Sequence, residues 1–181
     1  AAATGRGGGA VGQIGRRRGC GTVGIAGGAG EVAYLGELGF DAALGHRAGD
    51  LSEQLRQAAP EGIDVYFENV GGPVLEAILP HLNTFARVPV CGLAATYNAT
   101  EPPAGPDRAP ALRGLILRKS LTLRGFIQTE FVPTMFEQFL GDMSDWVRDG
   151  KIQYREDVTV GLDQAPEVFA SMLDGGNFGK T

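Results

Sequence analysis

The chain has 181 residues, 43% of them apolar, which is enough for one well-buried core, and its formal net charge is -5 at pH 7. That acidic balance argues against a nucleic-acid partner, whose phosphates call for a basic face. No apolar run approaches the roughly 20 residues that span a bilayer, and no signal peptide opens the chain, so a cytoplasmic protein without a membrane partner is expected.

The chain opens on Thr4-Gly5-Arg6-Gly7-Gly8-Gly9-Ala10-Val11-Gly12, a glycine-rich turn that runs into a helical pattern. Small residues at such a turn let backbone N–H groups approach a pyrophosphate, and the helix N-terminus favours negative charge. Gly5 and Gly8 therefore serve either cofactor binding or tight strand–helix packing, and a glycine turn heading a βαβ series favours the first. Gly12 fits close helix–sheet contact better than ligand contact. Only residues 1–3 stand where a strand is expected, so the first strand reads as truncated and the domain as cut from a longer chain. Arg16-Arg17-Arg18 reads as a solvated helix face. Cys20 and Cys91 lack metal-ligand spacing, so no metal site is expected and buried thiols are the default.

Residues 22–26 form an apolar strand ending in Gly27-Gly28, and 31–38 a helix. A short strand over 41–44 leads to a helix over 50–58 with Asp50 as its cap, then to the strongly apolar strand 63–67. A helix over 73–82 follows, with Pro73 in its first turn, and then a strand over 86–90 in which Pro89 argues against a central, fully paired position. Four prolines within 101–110 predict a fixed loop suited to a lid. A strand over 121–125 and an amphipathic helix over 134–148 come next, the latter with Phe136, Phe139, Leu140, Met143 and Val147 on one side. A strand over 154–160 and a helix over 163–173 complete the pattern. Alternating strands and helices predict an α/β, Rossmann-like, doubly wound and mostly parallel sheet with helices on both faces, as one domain over residues 1–181.

The series Gly5-x-x-Gly8, Gly24-Ile-Ala-Gly27, Glu37-Leu-Gly-Phe-Asp41, Asp64-Val-Tyr-Phe-Glu-Asn-Val-Gly-Gly72, Val90-Cys-Gly92, Tyr97-Asn98, Gly125-Phe-Ile127, Tyr154-Arg-Glu-Asp157 and Asn177-Phe-Gly-Lys180 spans almost the whole chain. It resembles the zinc-independent medium-chain reductases that reduce enone double bonds: prostaglandin reductases, leukotriene B4 12-hydroxydehydrogenases, alkenal double-bond reductases and curcumin-reductase-like enzymes. The resemblance implies that a GroES-like substrate domain precedes this one and that a final strand follows it. The isolated chain is then expected to lack enone turnover even where it binds nucleotide.

The resemblance also implies site residues. Gly5 and Gly8 lie along the pyrophosphate, and Asn69, Cys91, Gly92, Tyr97, Phe126, Ile127 and Asn177 approach the nicotinamide end of the cofactor. Asp or Glu at the end of the second Rossmann strand would hold a ribose 2′-hydroxyl, but Ala26-Gly27-Gly28 stands there, so NADP(H) is expected. His46 and Arg47 stand where the family holds the 2′-phosphate. Arg47 either replaces the family's lysine or is a solvated loop residue, and Glu31, if it occupies the lysine position, would repel the phosphate.

The implied reaction is conjugate reduction of an α,β-unsaturated aldehyde or ketone: hydride from NADPH to the β-carbon, then protonation of the enolate at the α-carbon. Tyr97 is the candidate catalytic group, orienting or donating at the carbonyl oxygen. Partners are a small enone or enal and, through the strand at 121–125, a second copy in a homodimer. A quinone oxidoreductase of the same superfamily and a non-catalytic nucleotide-binding fragment are the rivals.

Overall fold

A computed structural model describes residues 3–101, 105–173, 176, 178 and 179. The structure divides into two compact units, one of His46–Phe126 and the other of Ala2–Gly45 with Ile127–Thr181. In both, every strand pair is parallel and the strands alternate with helices.

The second unit begins with α1 (Arg6–Arg17), which feeds β1 (Val23–Ala26), α2 (Ala29–Glu37) and β2 (Ala42–Gly45). β1 and β2 pair in register from Val23 opposite Ala42 to Ala26 opposite Gly45. The amide of Ala3 donates to the carbonyl of Ile25 at 3.0 Å, which ties the residues before the glycine turn to β1. Ala3, Ala26 and Leu35 form the core, with Val32, Phe40 and Ala43 packed against them. Leu35 is fully buried, a contribution of about 1.5–3 kcal/mol. The Phe40 ring occupies the space that a Cβ on Gly12 would need, so Gly12 has the packing role expected of it. Helices α6 (Val132–Arg148) and α7 (Ala165–Leu173) complete this unit. Gln13 links α1 to the chain after α6: its Nε2 donates to the Gln153 carbonyl at 2.9 Å and its Oε1 accepts from the Gln153 amide at 2.8 Å.

The first unit holds α3 (Leu51–Ala58), β3 (Ile63–Val65), α4 (Gly72–Ile78), β4 (Leu82–Val90), α5 (Ala109–Lys119) and β5 (Thr122–Gly125), with sheet order β3-β4-β5. Asp50 caps α3 as expected, accepting from the amides of Ser52 and Glu53. Leu51, Leu55, Val74, Ile78, Leu82, Ala86, Val88 and Leu121 are buried.

Several expectations are corrected. Pro89 lies in β4, the central strand, opposite Arg124 of β5, and its carbonyl accepts from the Glu68 amide at 3.0 Å. A residue's N–H and C=O point to the same side of a strand, so the donor that proline lacks falls on the irregular β3 side, where pairing continues only as the Glu68–Val90 bridge. The proline-rich stretch gives way at Ala109 to α5, because Pro110 sits in the first turn, where a missing N–H costs no helical bond. Residues 154–160 form no extended strand, only an isolated bridge at Glu156, and Val158 and Val160 are exposed. Both cysteines are exposed, since Cys20 follows the end of α1 and Cys91 lies just past the end of β4. The apolar side of α6 is half exposed at Phe136, Phe139 and Leu140.

Candidate active site

In the first unit the predicted residues converge at the C-terminal ends of β3 and β4, the end where doubly wound sheets bind ligands. β3 runs out into Tyr66-Phe67-Glu68-Asn69, and β4 into Cys91-Gly92. The two exits are tied together. The amides of Cys91 and Gly92 donate to the Glu68 carbonyl at 2.8 and 3.3 Å, that of Ala94 to the Asn69 carbonyl, and that of Ala95 to the Val70 carbonyl. A short 3-10 turn over Ala94–Thr96 then delivers Tyr97.

Gly92 is the meeting point. A Cβ built on it would come within 2.5 Å of Asn69 Oδ1 and 2.9 Å of the Tyr97 hydroxyl. An amide oxygen and a hydroxyl are therefore held beside one backbone position that must stay bare. Tyr97 is 64% exposed, so its ring is not part of the core and its hydroxyl is available to a bound molecule. Phe126, at the end of β5, donates its amide to the Val90 carbonyl, and its ring lies 6.5 Å from that of Phe67.

The anchor of this site is a residue to which sequence reasoning gave no role. Glu68 is 1% exposed, and its Oε1 accepts from the amides of Val70 at 2.6 Å and Gly71 at 2.9 Å and from the Tyr66 hydroxyl at 3.2 Å. Its Oε2 is buried with no hydrogen-bond partner among the described residues. Burial, then the neighbouring carboxylate, pushes the Tyr66 hydroxyl well above the ordinary phenol range, so it remains a donor. The signal was present in the sequence: a carboxylate between an apolar strand and Asn69-Val-Gly-Gly has to be satisfied locally. Gly71 and Gly72, at φ 75° and 54°, make the turn that brings these amides back onto it.

The second unit holds the other half of the predicted set. Gly5 is the N-cap of α1 in extended conformation, so Gly7 and Gly8 belong to the first helical turn and not to a loop before it. That turn carries no acidic residue, and a Cβ on Gly7 would meet nothing within 4 Å. Gly7 is exposed whereas Gly8 is buried, and a helix start with no side-chain cap and no acidic residue suits a pyrophosphate, so these residues fit a dinucleotide.

His46 and Arg47 follow β2 and are exposed, while Ile127 is exposed and falls in the unit that excludes Asn69 and Tyr97. Asn177 lies outside the described residues. Its neighbour Phe178 donates its amide to Asp157 Oδ2 at 3.2 Å, and its ring packs edge-on against Tyr34 and under the Arg155 guanidinium. Among the described residues, no three His, Cys, Asp or Glu side chains gather as a metal site, and no helix is long and apolar enough to cross a membrane.

Parallel strands that alternate with helices define an α/β protein of the Rossmann type. The family described as zinc-binding dehydrogenase matches residues 8–145, and the chain belongs to that family. It is 52% identical over 181 residues to the NADPH-dependent curcumin reductase of Escherichia coli (strain K12), covering 99% of this chain and 52% of that protein. To prostaglandin reductase 1 of Rattus norvegicus it is 41% identical over 182 residues, again 99% of this chain and 54% of the relative. The crystal structure of CurA in complex with NADPH from Vibrio vulnificus superposes with a TM-score of 0.94 at 47% identity, over 99% of this chain and 53% of that one. The chain thus spans about half the length of these relatives. An Escherichia coli quinone oxidoreductase complexed with NADPH, at 18% identity and a TM-score of 0.76, shares the fold.

Proposed function

We propose that this chain is the cofactor-binding part of an NADPH-dependent reductase acting on the carbon–carbon double bond of α,β-unsaturated aldehydes or ketones. The observation that carries the reading is the convergence of Asn69 and Tyr97 on Gly92, at the sheet end where a nicotinamide belongs, in a chain 52% identical to an NADPH-dependent curcumin reductase. When bound, the dinucleotide supplies the hydride. The α1 N-terminus at Gly5 and Gly8 receives the pyrophosphate. Asn69, Cys91 and Gly92, with Phe126 beside them, would hold the nicotinamide ribose, and His46 and Arg47 would meet the adenine ribose; the roles of Ile127 and Asn177 at the nicotinamide rest on the family resemblance alone.

Tyr97 is the group for the developing oxyanion. Its exposed hydroxyl can donate to the substrate carbonyl oxygen as negative charge grows there, which lowers the barrier most when the donor is already in place. Glu68 keeps that geometry from drifting by fixing the turn that bears Asn69 to the end of β4. The test is nicotinamide oxidation by the intact protein with a 2-alkenal, an enone and a quinone offered in parallel. Enone or enal reduction at the higher kcat/KM is expected, and a clear preference for the quinone would refute the reading.

A further inference from the structure

The sheet of the first unit is parallel throughout, and sheets of that kind are found almost only with both faces covered. One of its faces is bare. Arg87 of β4 stands opposite Val65 of β3 and Thr122 of β5, and Pro89 stands opposite Arg124, so these five residues share a face. All of them except the half-buried Pro89 are exposed, whereas Ala86 and Val88, which point the other way, are buried. A groove of about 340 Å³ runs over this face, lined by the five residues together with Val88. Two residues before Arg87, Phe85 is 74% exposed at φ 65°, a left-handed conformation that a bulky residue adopts only against steric strain. An aromatic ring held out in this way suits an anchor for an incoming surface.

With two arginines lining the groove, its cover should be apolar on one side and negative along the border of that side. Helix α6, in the second unit, has this character. Val132, Met135, Phe136, Phe139 and Leu140 recur at helical spacing on one side and are about half exposed. Glu137 and Asp142 border that side, and the helix carries three carboxylates, Glu137, Asp142 and Asp145, against the single cation Arg148, which is paired with Asp145. A helix about 10 Å across spans three strands spaced about 4.8 Å apart, so α6 alone is wide enough to close the face.

Each of these surfaces is open in the single chain, and the two are complementary in shape, polarity and charge. A second copy can use both at once. We infer that the chain self-associates, with α6 of one copy laid across the β3-β4-β5 face of the other and the same contact repeated in reverse about a two-fold axis. Val65, Phe85 and Pro89 meet Phe136, Phe139 and Leu140, and Arg87 meets Glu137. Pairing along the β5 edge is a different arrangement, because it leaves the sheet face bare. The inference concerns an interaction surface and does not depend on the proposed reductase function.

Sedimentation velocity of the full chain at about 1–200 µM tests this. The mass should rise with concentration from 18.9 kDa to twice that value. Phe136→Asp should weaken the dimer by at least about 100-fold, and Arg87→Glu and Glu137→Arg by about tenfold each. Combining the two charge reversals restores the pair, so the double variant should return to within about threefold of the parent. Thermal melts verify that each variant is folded; if Phe136→Asp melts early, the charge variants decide, because both of those residues are exposed. A chain that stays monomeric across the whole range would overturn the inference, since neither face then finds its cover in a second copy. A dimer that all three single substitutions leave unchanged is held by another surface, such as the β5 edge, and overturns it equally. So does a double charge variant that associates no better than either single one.

Discussion

Replacing Glu68 by Ala should be the most damaging single change at the candidate site. The substitution strips the acceptor from the amides of Val70 and Gly71 and from the Tyr66 hydroxyl. A buried donor left unsatisfied costs about 1–3 kcal/mol. The Val70 amide is only partly buried and can rehydrate, so the sum is nearer the lower bound, about 3–5 kcal/mol. Against a total stability of about 5–15 kcal/mol this is a large fraction, and at about 2–4 °C per kcal/mol for a chain of this size it lowers Tm by about 10 °C. Glu68→Gln retains a carbonyl that can replace Oε1, but it puts amide N–H groups where Oε2 has no partner, so a loss of about 1–2 kcal/mol is expected. Melting curves measure the stability change. Amide exchange locates it, because the Val70 and Gly71 amides should lose protection first. A Glu68→Ala chain that melts within about 2 °C of the parent, with those two amides exchanging as before, would refute the anchoring role.

Gly92→Ala introduces a methyl within 2.5 Å of Asn69 Oδ1 and 2.9 Å of the Tyr97 hydroxyl; both are side-chain ends that can swing away. The Asn69 backbone carbonyl at 3.3 Å cannot, so stability should fall by about 1–2 kcal/mol while NADPH affinity falls about tenfold, measured by titration beside melts. Tyr97→Phe in the intact protein keeps the ring, so it should leave Tm unchanged and lower kcat for enone reduction by roughly 10- to 1,000-fold, read by single-turnover kinetics at saturating NADPH. Asp41 accepts from the Thr22 amide at 2.7 Å and hydroxyl at 3.1 Å, bonds that hold its carboxyl below the ordinary carboxylate range. A carboxyl whose pKa is lowered in the folded state stabilises the fold above its unfolded value of about 3.9 and loses that contribution as pH falls through the lower folded value. Asp41→Asn should therefore reduce Tm at neutral pH and flatten its fall below about pH 4, followed by melts across the acid range.

The sequence by itself determined the class of fold and the end of the sheet that matters. Apolar runs bounded by glycine, with helical patterns between them, leave little choice but parallel βαβ units, and Asp50 before an amphipathic run is a local capping signal that needs no tertiary partner. Gly5 and Asn69 stood out for a similar reason, as small or polar residues at a turn or strand end, whereas Gly92 and Tyr97 came from the family resemblance. Only the tertiary structure decided what depends on a distant neighbour. Pro89 is acceptable in a central strand because the strand beside it is irregular on the side where its donor is missing. Residues 154–160, though patterned as a strand, form only an isolated bridge at Glu156, because strand formation is decided by what lies alongside. The carboxylates of Glu68 and Glu31 were visible as letters, but their roles were not. What each one does is set by which amides the fold turns toward it, and for Glu31 those are the amides of Gly27 and Gly28, at a strand end that its own position in the sequence had already passed.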